Sequence, residues 1–483
     1  MSLTHTPAKT GSGRHPVDEV LPAHKLFAFG LQHLFIMYAG AVAVPLIVGP
    51  AIGLKSHDIA ILVSADLLVS GIATLIQSVG VSKLFGVRLP VVAGATFTVL
   101  NPMIIIASQY GGRSGLPYVY GAMLVSGIFG LVIAKPFSRV IRFFPPLVSG
   151  TVICIIGLSL GGADITLILG DAHNGDKYVG SVGRIALAGV VILAILLITR
   201  VFRGFISQIA VLLSLVIGTI VASFMHLVDF SNVKNAAWLG APHIFNFGAP
   251  KFSAAAIITM CIVMIVTYTE STADMLAVGE MVGKDVTPDD LARGLATDGL
   301  SAVLASFTNS FPDTAFAENV GLVGLTKVRS RWVVSVCGAL LLVLGLIPKI
   351  GQIVADLPGP VIGGGATVMF AMVTAVGIQT LHKVNFEGNS NLLIVATSLA
   401  VGLLPAFNQH FYDKFPKDFQ VIFGSSITAT VIVVFVLNLV FNHWTTGTRP
   451  PLDAVQAALD EGAVAVDVPH GGVPERLREK VVD

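Results

Sequence analysis

The run Glu318-Asn319-Val320-Gly321-Leu322-Val323-Gly324-Leu325-Thr326-Lys327 decides how this chain is read. It sets a carboxylate, a carboxamide and two glycines inside a sequence otherwise built for lipid. A polar, glycine-loosened stretch at membrane depth is tolerated only where protein or a water-filled cavity surrounds it. In a membrane protein such residues point to a binding site.

The surrounding chain supplies the lipid context. Of its 483 residues, 54% are hydrophobic and 12% charged, against about 25% charged in a soluble protein. That composition predicts an all-α polytopic membrane protein. A net charge of +1 gives no argument for nucleic acid. Cys154, Cys261 and Cys337 all lie in apolar runs without metal-ligand spacing, and read as small packing residues. Met1 to Ala23 and the stretch from Thr446 onward read as flexible tails, with a short helix at Leu452–Leu459.

A spanning helix needs about 20 apolar residues. Twelve apolar runs, from Leu26–Val48 to Ile422–Phe441, meet or approach that length. Two more, Val91–Ile106 and Ala315–Leu325, are interrupted by polar residues and raise the expectation to about fourteen crossings. Charge supports the count. With both termini on one side, that side collects about 20 of the 29 Lys and Arg residues, among them Lys83, Arg88, Lys284, Arg293, Lys327, Arg329 and Arg331. The excess predicts cytoplasmic termini.

Weak self-similarity recurs at an offset of about 232. Ser64-Ala65-Asp66 and Ala296-Thr297-Asp298 are each read as opening a helix, and Gln77-Ser78 and Asn309-Ser310 follow at equal spacing. Pro146-Leu147-Val148-Ser149-Gly150 is echoed by Pro360-Val361-Ile362-Gly363-Gly364. Two halves of seven crossings must have opposite orientation, and inverted repeats with a discontinuous segment in each half are the pattern of secondary transporters.

Charges inside spans cost about 2.5–3.5 kcal/mol each on insertion scales and need a reason. Glu270 and Asp274 lie four residues apart, on one helix face. Glu318 and Asn319 sit at the break in a later segment, and His33 interrupts the first span. Asp66 and Asp298 read either as helix caps near the surface or as buried functional groups. His33 reads either as a packing residue or as part of a polar network. Asp313, beside Pro312, is expected to face outside water. Broken backbone and carboxylates together suit a small planar solute, and a buried carboxyl offers a proton switch. No ATP-binding loop, metal-ligand cluster or nucleophile–base pair is evident.

Glu318 to Lys327 fits every position of the signature of the nucleobase–ascorbate transporter family, which the chain resembles over about residues 25–445. Gln32-His33, Arg88-Leu89-Pro90 before Thr96-Phe97-Thr98, Glu270 with Asp274, and Asp298-Gly299 add to the likeness. The resemblance implies two inverted seven-helix repeats, with short antiparallel strands in crossings 3 and 10 meeting at the substrate. It implies a cytoplasmic tail over 1–24, core domain over 25–145 and 254–354, gate domain over 146–253 and 355–445, and a cytoplasmic tail over 446–483.

By position, Glu270 and Glu318 would contact the base, Phe97 would stack on it and Thr96 would tune selectivity. Ala317 would line the site and Asn319 support it, while His33, Asp274 and Asp298 would serve the polar network or proton coupling. The implied protein is a homodimer without cofactor or nucleic-acid partner. It would import an oxidised purine (xanthine or uric acid) with H⁺, or alternatively Na⁺, as the co-transported ion. The flanking sequence is similar to bacterial xanthine and uric acid permeases. Those usually carry Gln where Glu318 stands, whereas uracil transporters carry Glu, so uracil is the second expectation. An anion exchanger of similar architecture is disfavoured by the buried carboxylates. An intramembrane enzyme is disfavoured because it leaves the repeat unexplained.

Overall fold

A computed structural model describes residues 15–140, 145–170, 179–387, 390–408 and 410–444. The expected tail from Thr446, with its short helix, lies outside the described residues, as do residues 1–14.

The first half runs α1 (Ala23–Ala51), α2 (Ser56–Val79), strand β1 (Ala93–Ala95), α3 (Leu100–Gln109) and α4 (Leu116–Val140). It continues with α5 (Pro146–Ser159), α6 (Gly161–Leu169), α7 (Val182–Val201), α8 (Phe205–Gln208) and α9 (Ala210–Phe224). The same order then recurs: α10 (Ala254–Val282), α11 (Pro288–Thr308), strand β2 (Asp313–Ala315), α12 (Ala317–Thr326) and α13 (Arg331–Gly345). After α14 (Pro348–Ala355) come α15 (Gly359–Leu381), α16 (Asn391–Phe407), α17 (Lys417–Phe423) and α18 (Ser426–Asn438). Among the described residues, eight helices are long and apolar enough to cross a membrane, or nine if α13 and α14, bent by 81°, form one span.

Packing crosses between the halves. α2 lies along α13 and α14, while α4 lies along α11 and α10. In a second group, α15 packs on α5, α6, α7 and α9, and α16 on α18 and α5. Small residues let these helices approach closely. A Cβ at Gly71 would stand 2.6 Å from the Leu342 backbone, and one at Gly377 would stand 2.5 Å from the Cys154 backbone. Gly363, Gly364 and Gly365 meet Ile168, Ala188 and Leu215 within the second group.

Two helix starts differ from expectation. α2 begins at Ser56 and α11 at Pro288, so Asp66 and Asp298 lie in helix interiors and neither is a cap. The cap of α11 is Thr287, in a reciprocal capping box with Asp290. Weak apolarity in the first turns of both helices had hidden these starts.

The N-terminal stretch also departs from a flexible tail. Pro16–Asp18 forms a short 3₁₀ turn, and Val17 is 1% exposed among Val87, Leu89, Met275, Val278, Val320 and Val323. Arg331 Nε donates to Asp18 Oδ1 at 2.7 Å, and Ser330 Oγ donates to the Glu19 carbonyl at 2.5 Å. This strap closes the end of the bundle where the basic loops gather. There Lys284 Nζ donates to the Arg88 carbonyl, and Arg331 Nη1 to the carbonyls of Ser78 and Val79.

Candidate functional site

The interrupted segments meet. β1 and β2 pair antiparallel with Ala93 opposite Ala315, Gly94 opposite Thr314 and Ala95 opposite Asp313. Flanking bonds extend the pairing, from Thr96 N to the Pro312 carbonyl at 3.0 Å and from Phe316 N to the Val92 carbonyl at 2.9 Å. A two-stranded ribbon within a helical bundle leaves two outer edges whose backbone groups cannot find water. Hydroxyls cover both. Thr74 Oγ1 donates to the Ala93 carbonyl and accepts from Ala93 N, at 3.1 and 2.9 Å. Ser271 Oγ accepts from Ala315 N at 3.0 Å and shares a 2.9 Å bond with Thr314 Oγ1.

The ribbon throws the starts of α3 and α12 toward one region. Helix starts present unpaired N–H groups and the positive end of the dipole. Phe316, the residue before α12, wedges its ring against β1 and α1: a Cβ on Gly40 would stand 2.6 Å from it and one on Gly94 2.8 Å.

Glu270, on α10, is gripped from the β1 side. Thr98 Oγ1 donates to its Oε1 at 2.7 Å and Thr96 Oγ1 to its Oε2 at 3.2 Å. Thr96 Oγ1 also accepts from Thr98 N, which fixes its hydroxyl direction. Asp274, one turn on, lies within electrostatic reach of both Glu270 and Glu318. Glu318 and Ala317, in the first turn of α12, are solvent-accessible, and so are Gly321, Gly324 and Leu325 on the same helix face. Phe97 is half-buried and meets Phe370 of α15 edge-on at 5.6 Å. The hollow against Glu270, walled by Val148, Ser149 and Phe435, holds only about 20 Å³. That is far less than a purine requires.

His33 and Asn319 are both buried and bonded to each other. Asn319 Nδ2 donates to the His33 carbonyl at 2.9 Å and lies 3.0 Å from His33 Nδ1. With Nδ2 as donor, Nδ1 accepts, and the proton of the neutral ring sits on Nε2. Asn319 Oδ1 is buried without a partner.

A second set of acids lies behind the ribbon. Asp313, expected to face outside water, is fully buried at the start of β2, because the turn at Asn309 carries the chain inward. Its Oδ1 accepts from Ser70 Oγ at 3.0 Å, and its own N–H donates to Ser301 Oγ at 3.1 Å. Asp298 accepts from Gln77 Nε2 at 3.0 Å, and Asp66 lies within electrostatic reach of Asp313.

The structure therefore brings together Thr96, Phe97, Glu270, Asp274, Ala317 and Glu318, with His33 and Asn319 behind α12 and Asp298 behind the ribbon. Sequence reading passed over Thr98, the shortest contact to Glu270, and the edge-covering pair Thr74 and Ser271. Thr98 was visible only as a second hydroxyl in Thr96-Phe97-Thr98. Nothing in the sequence singled out Thr74 or Ser271 among the many helical Ser and Thr residues.

Comparison with known proteins agrees with this architecture. A profile described as a permease family matches residues 24–411. A uric acid transporter of Escherichia coli is 40% identical over 441 residues, 91% of each chain. A xanthine permease of Bacillus subtilis is 41% identical, over 86% of this chain and 94% of its own. Among solved structures, the transmembrane domain of a cyanobacterial bicarbonate transporter aligns with a TM-score of 0.57 at 13% identity, over 87% of this chain and 98% of its own, a likeness of fold alone. With signature, paired half-helices and full-length relatives in agreement, the chain belongs to the nucleobase–ascorbate transporter family of membrane permeases.

Proposed function

We propose that this protein is a proton-coupled symporter that imports an oxidised purine, xanthine or uric acid. The observation that carries the reading is the meeting of Glu270, held by two threonine hydroxyls, with Asp274 and Glu318 at the start of α12. Carboxylates accept from ring N–H groups, and the first N–H groups of a half-helix can donate to ring carbonyls. Full-length relatives named for uric acid and xanthine support the purine. Carboxyl groups that share a confined site titrate as a unit and can hold a proton between them, which supports H⁺ as the coupled ion.

In this reading α5 with α6, α8 with α9, β1 with α3, β2 with α12, α13 with α14, and α17 with α18 each make one crossing. The total is then fourteen, in two inverted sets of seven. Core is assigned to 25–145 and 254–354 and gate to 146–253 and 355–445, a division that the two packing groups support, and both termini face the cytoplasm with the basic loops. Phe97 stacks on the base, Thr96 tunes selectivity, Ala317 lines the site, and Asn319 with His33 braces α12. Asp298 and Asp274 serve coupling, and the working unit is a homodimer.

Uracil remains the second reading, on the single ground of a carboxylate at Glu318. Uptake of radiolabelled xanthine, uric acid and uracil is to be measured in a strain lacking its own carriers, with and without an uncoupler. Uncoupler-sensitive uptake of either purine is the expected result. Uptake that survives the uncoupler and collapses without Na⁺ would overturn the choice of ion. Uptake of uracil alone would overturn the purine.

A further inference from the structure

At one end of the bundle the two packing groups are tied. Ser426 N, at the start of α18, donates to Asn101 Oδ1 on α3 at 3.1 Å, and Gln109 Nε2 donates to Gln420 Oε1 at 3.2 Å. These bonds border a cavity of about 470 Å³ that reaches Ile47 and Asn101. Asn101 lies six residues beyond the end of β1, and Ser426 lies at the break between α17 and α18.

The opposite end, beside the basic loops, carries the repeat of this arrangement. Six residues beyond the end of β2 stands Gly321, and the matching helix break is that between α8 and α9, where Gln208 sits. α8 packs against α12. A Cβ on Gly321 would have Gln208 Nε2 as its nearest neighbour, at 3.9 Å. Among the described residues α8 and α12 share no hydrogen bond, and Gln208 Oε1 is buried without a partner. The carboxamide has thus changed sides. On the tied end the half-helix supplies it through Asn101, and on the other end the break supplies it through Gln208. The open face of α12 runs from Leu325 and Gly324 past Gly321 to Glu318. Glu318 is three residues from Gly321, about 4.5 Å along the axis.

We propose that Gln208 is the gating residue of the end beside the basic loops. When that end closes, the α8–α9 break slides along α12, and the Gln208 amide donates to the Glu318 carboxylate over the glycine gap at Gly321. The tied contacts at Asn101 and Gln109 open as it does so. Gln208 acts through Glu318 and the closed state, so it is a positioning residue.

This inference rests on the transport reading, and its test separates the two. Purified wild type, Gln208→Leu and Gln208→Asn are compared by equilibrium binding of radiolabelled xanthine and uric acid in detergent, and by uptake into proteoliposomes at matched protein. Leu keeps the bulk without the donors, and Asn keeps the amide one methylene short. Both are expected to bind within about twofold of wild type and to take up substrate at least about tenfold more slowly, a ten-fold loss of the closed state. If neither variant folds, Gly321→Val fills the gap from the α12 side and should show the same split. Uptake at the wild-type rate, or a parallel loss of binding and uptake, would overturn the gate assignment. Wild type that binds and moves neither purine would overturn the transport reading, and this inference with it.

Discussion

Replacing Glu270 by Gln tests the central residue, and the structure sets the size of the effect. Glu270 accepts two hydrogen bonds, from Thr98 at 2.7 Å and Thr96 at 3.2 Å. In the amide one oxygen can still accept from Thr98. The other position becomes an NH₂ group facing a hydroxyl that now donates, so Thr96 must turn and its proton loses its acceptor. A hydrogen bond to a charged group contributes about 1.5–3 kcal/mol and a neutral one about 0.5–1.5. The bond that a substrate ring N–H makes to residue 270 weakens by the same difference of about 1–2 kcal/mol when its acceptor is neutral, roughly one decade in affinity. Coupling should suffer more, because an amide cannot take up the proton that drives accumulation. Glu270→Gln is expected to bind xanthine or uric acid about tenfold more weakly and to equilibrate it without concentrating it. Equilibrium binding and uncoupler-controlled uptake, with expression matched to wild type, read the two effects separately. Full active accumulation by the variant would show that Glu270 is not the coupling carboxylate.

Three further outcomes are expected. Glu318→Gln keeps one acceptor and adds a donor on the open face of α12, so transport should persist with an altered order of xanthine, uric acid and uracil. An unchanged order would remove Glu318 from recognition. Val17→Asp should lower the thermal midpoint, since it forfeits about 2 kcal/mol of apolar burial and places a carboxylate in the apolar cluster beneath α10 and α12. An unshifted midpoint would mean the strap contributes nothing. Gln109→Cys with Gln420→Cys, cross-linked through disulfides by a short bis-methanethiosulfonate, should arrest uptake and recover on reduction, because the pair bridges the two packing groups. Full uptake by the cross-linked protein would contradict relative movement of the two packing groups.

Much of the architecture was legible because lipid imposes a strict rule on composition. Long apolar runs had to be helices, and the two polar interruptions had to find protein partners, which they do in the ribbon. Glu270 and Asp274 stood out for the same reason: a carboxylate deep within an apolar run cannot be incidental. Asp313 misled because proximity to Pro312 looks like a loop, and only the ribbon shows that this turn points inward. Asp66 and Asp298 read as caps or as buried groups in the sequence because the first turns of α2 and α11 carry charges that blur where an amphipathic pattern begins. The strap at Val17 was illegible, since one valine among polar residues carries no periodicity. Its burial depends wholly on loops far away in the chain.

The crossed packing of the halves has a consequence for how the protein is made. α2 finds its partner α13, and α4 its partner α11, only after the whole of α5 to α10 has been synthesised. Until then Gln77 lacks Gly294 and Asp298, and Ser70 lacks Asp313. α1 to α4 must therefore enter the membrane with Gln77 and Ser70 short of these partners. They must wait there through the insertion of α5 to α9, at a cost that contacts between distant parts of a chain always carry. Biogenesis of this fold is thus a late, concerted closure, with the N-terminal strap sealing the core only once Arg331 has emerged. An insertion machinery that shields half-made cores from lipid would govern its yield more than the strength of any single helix contact.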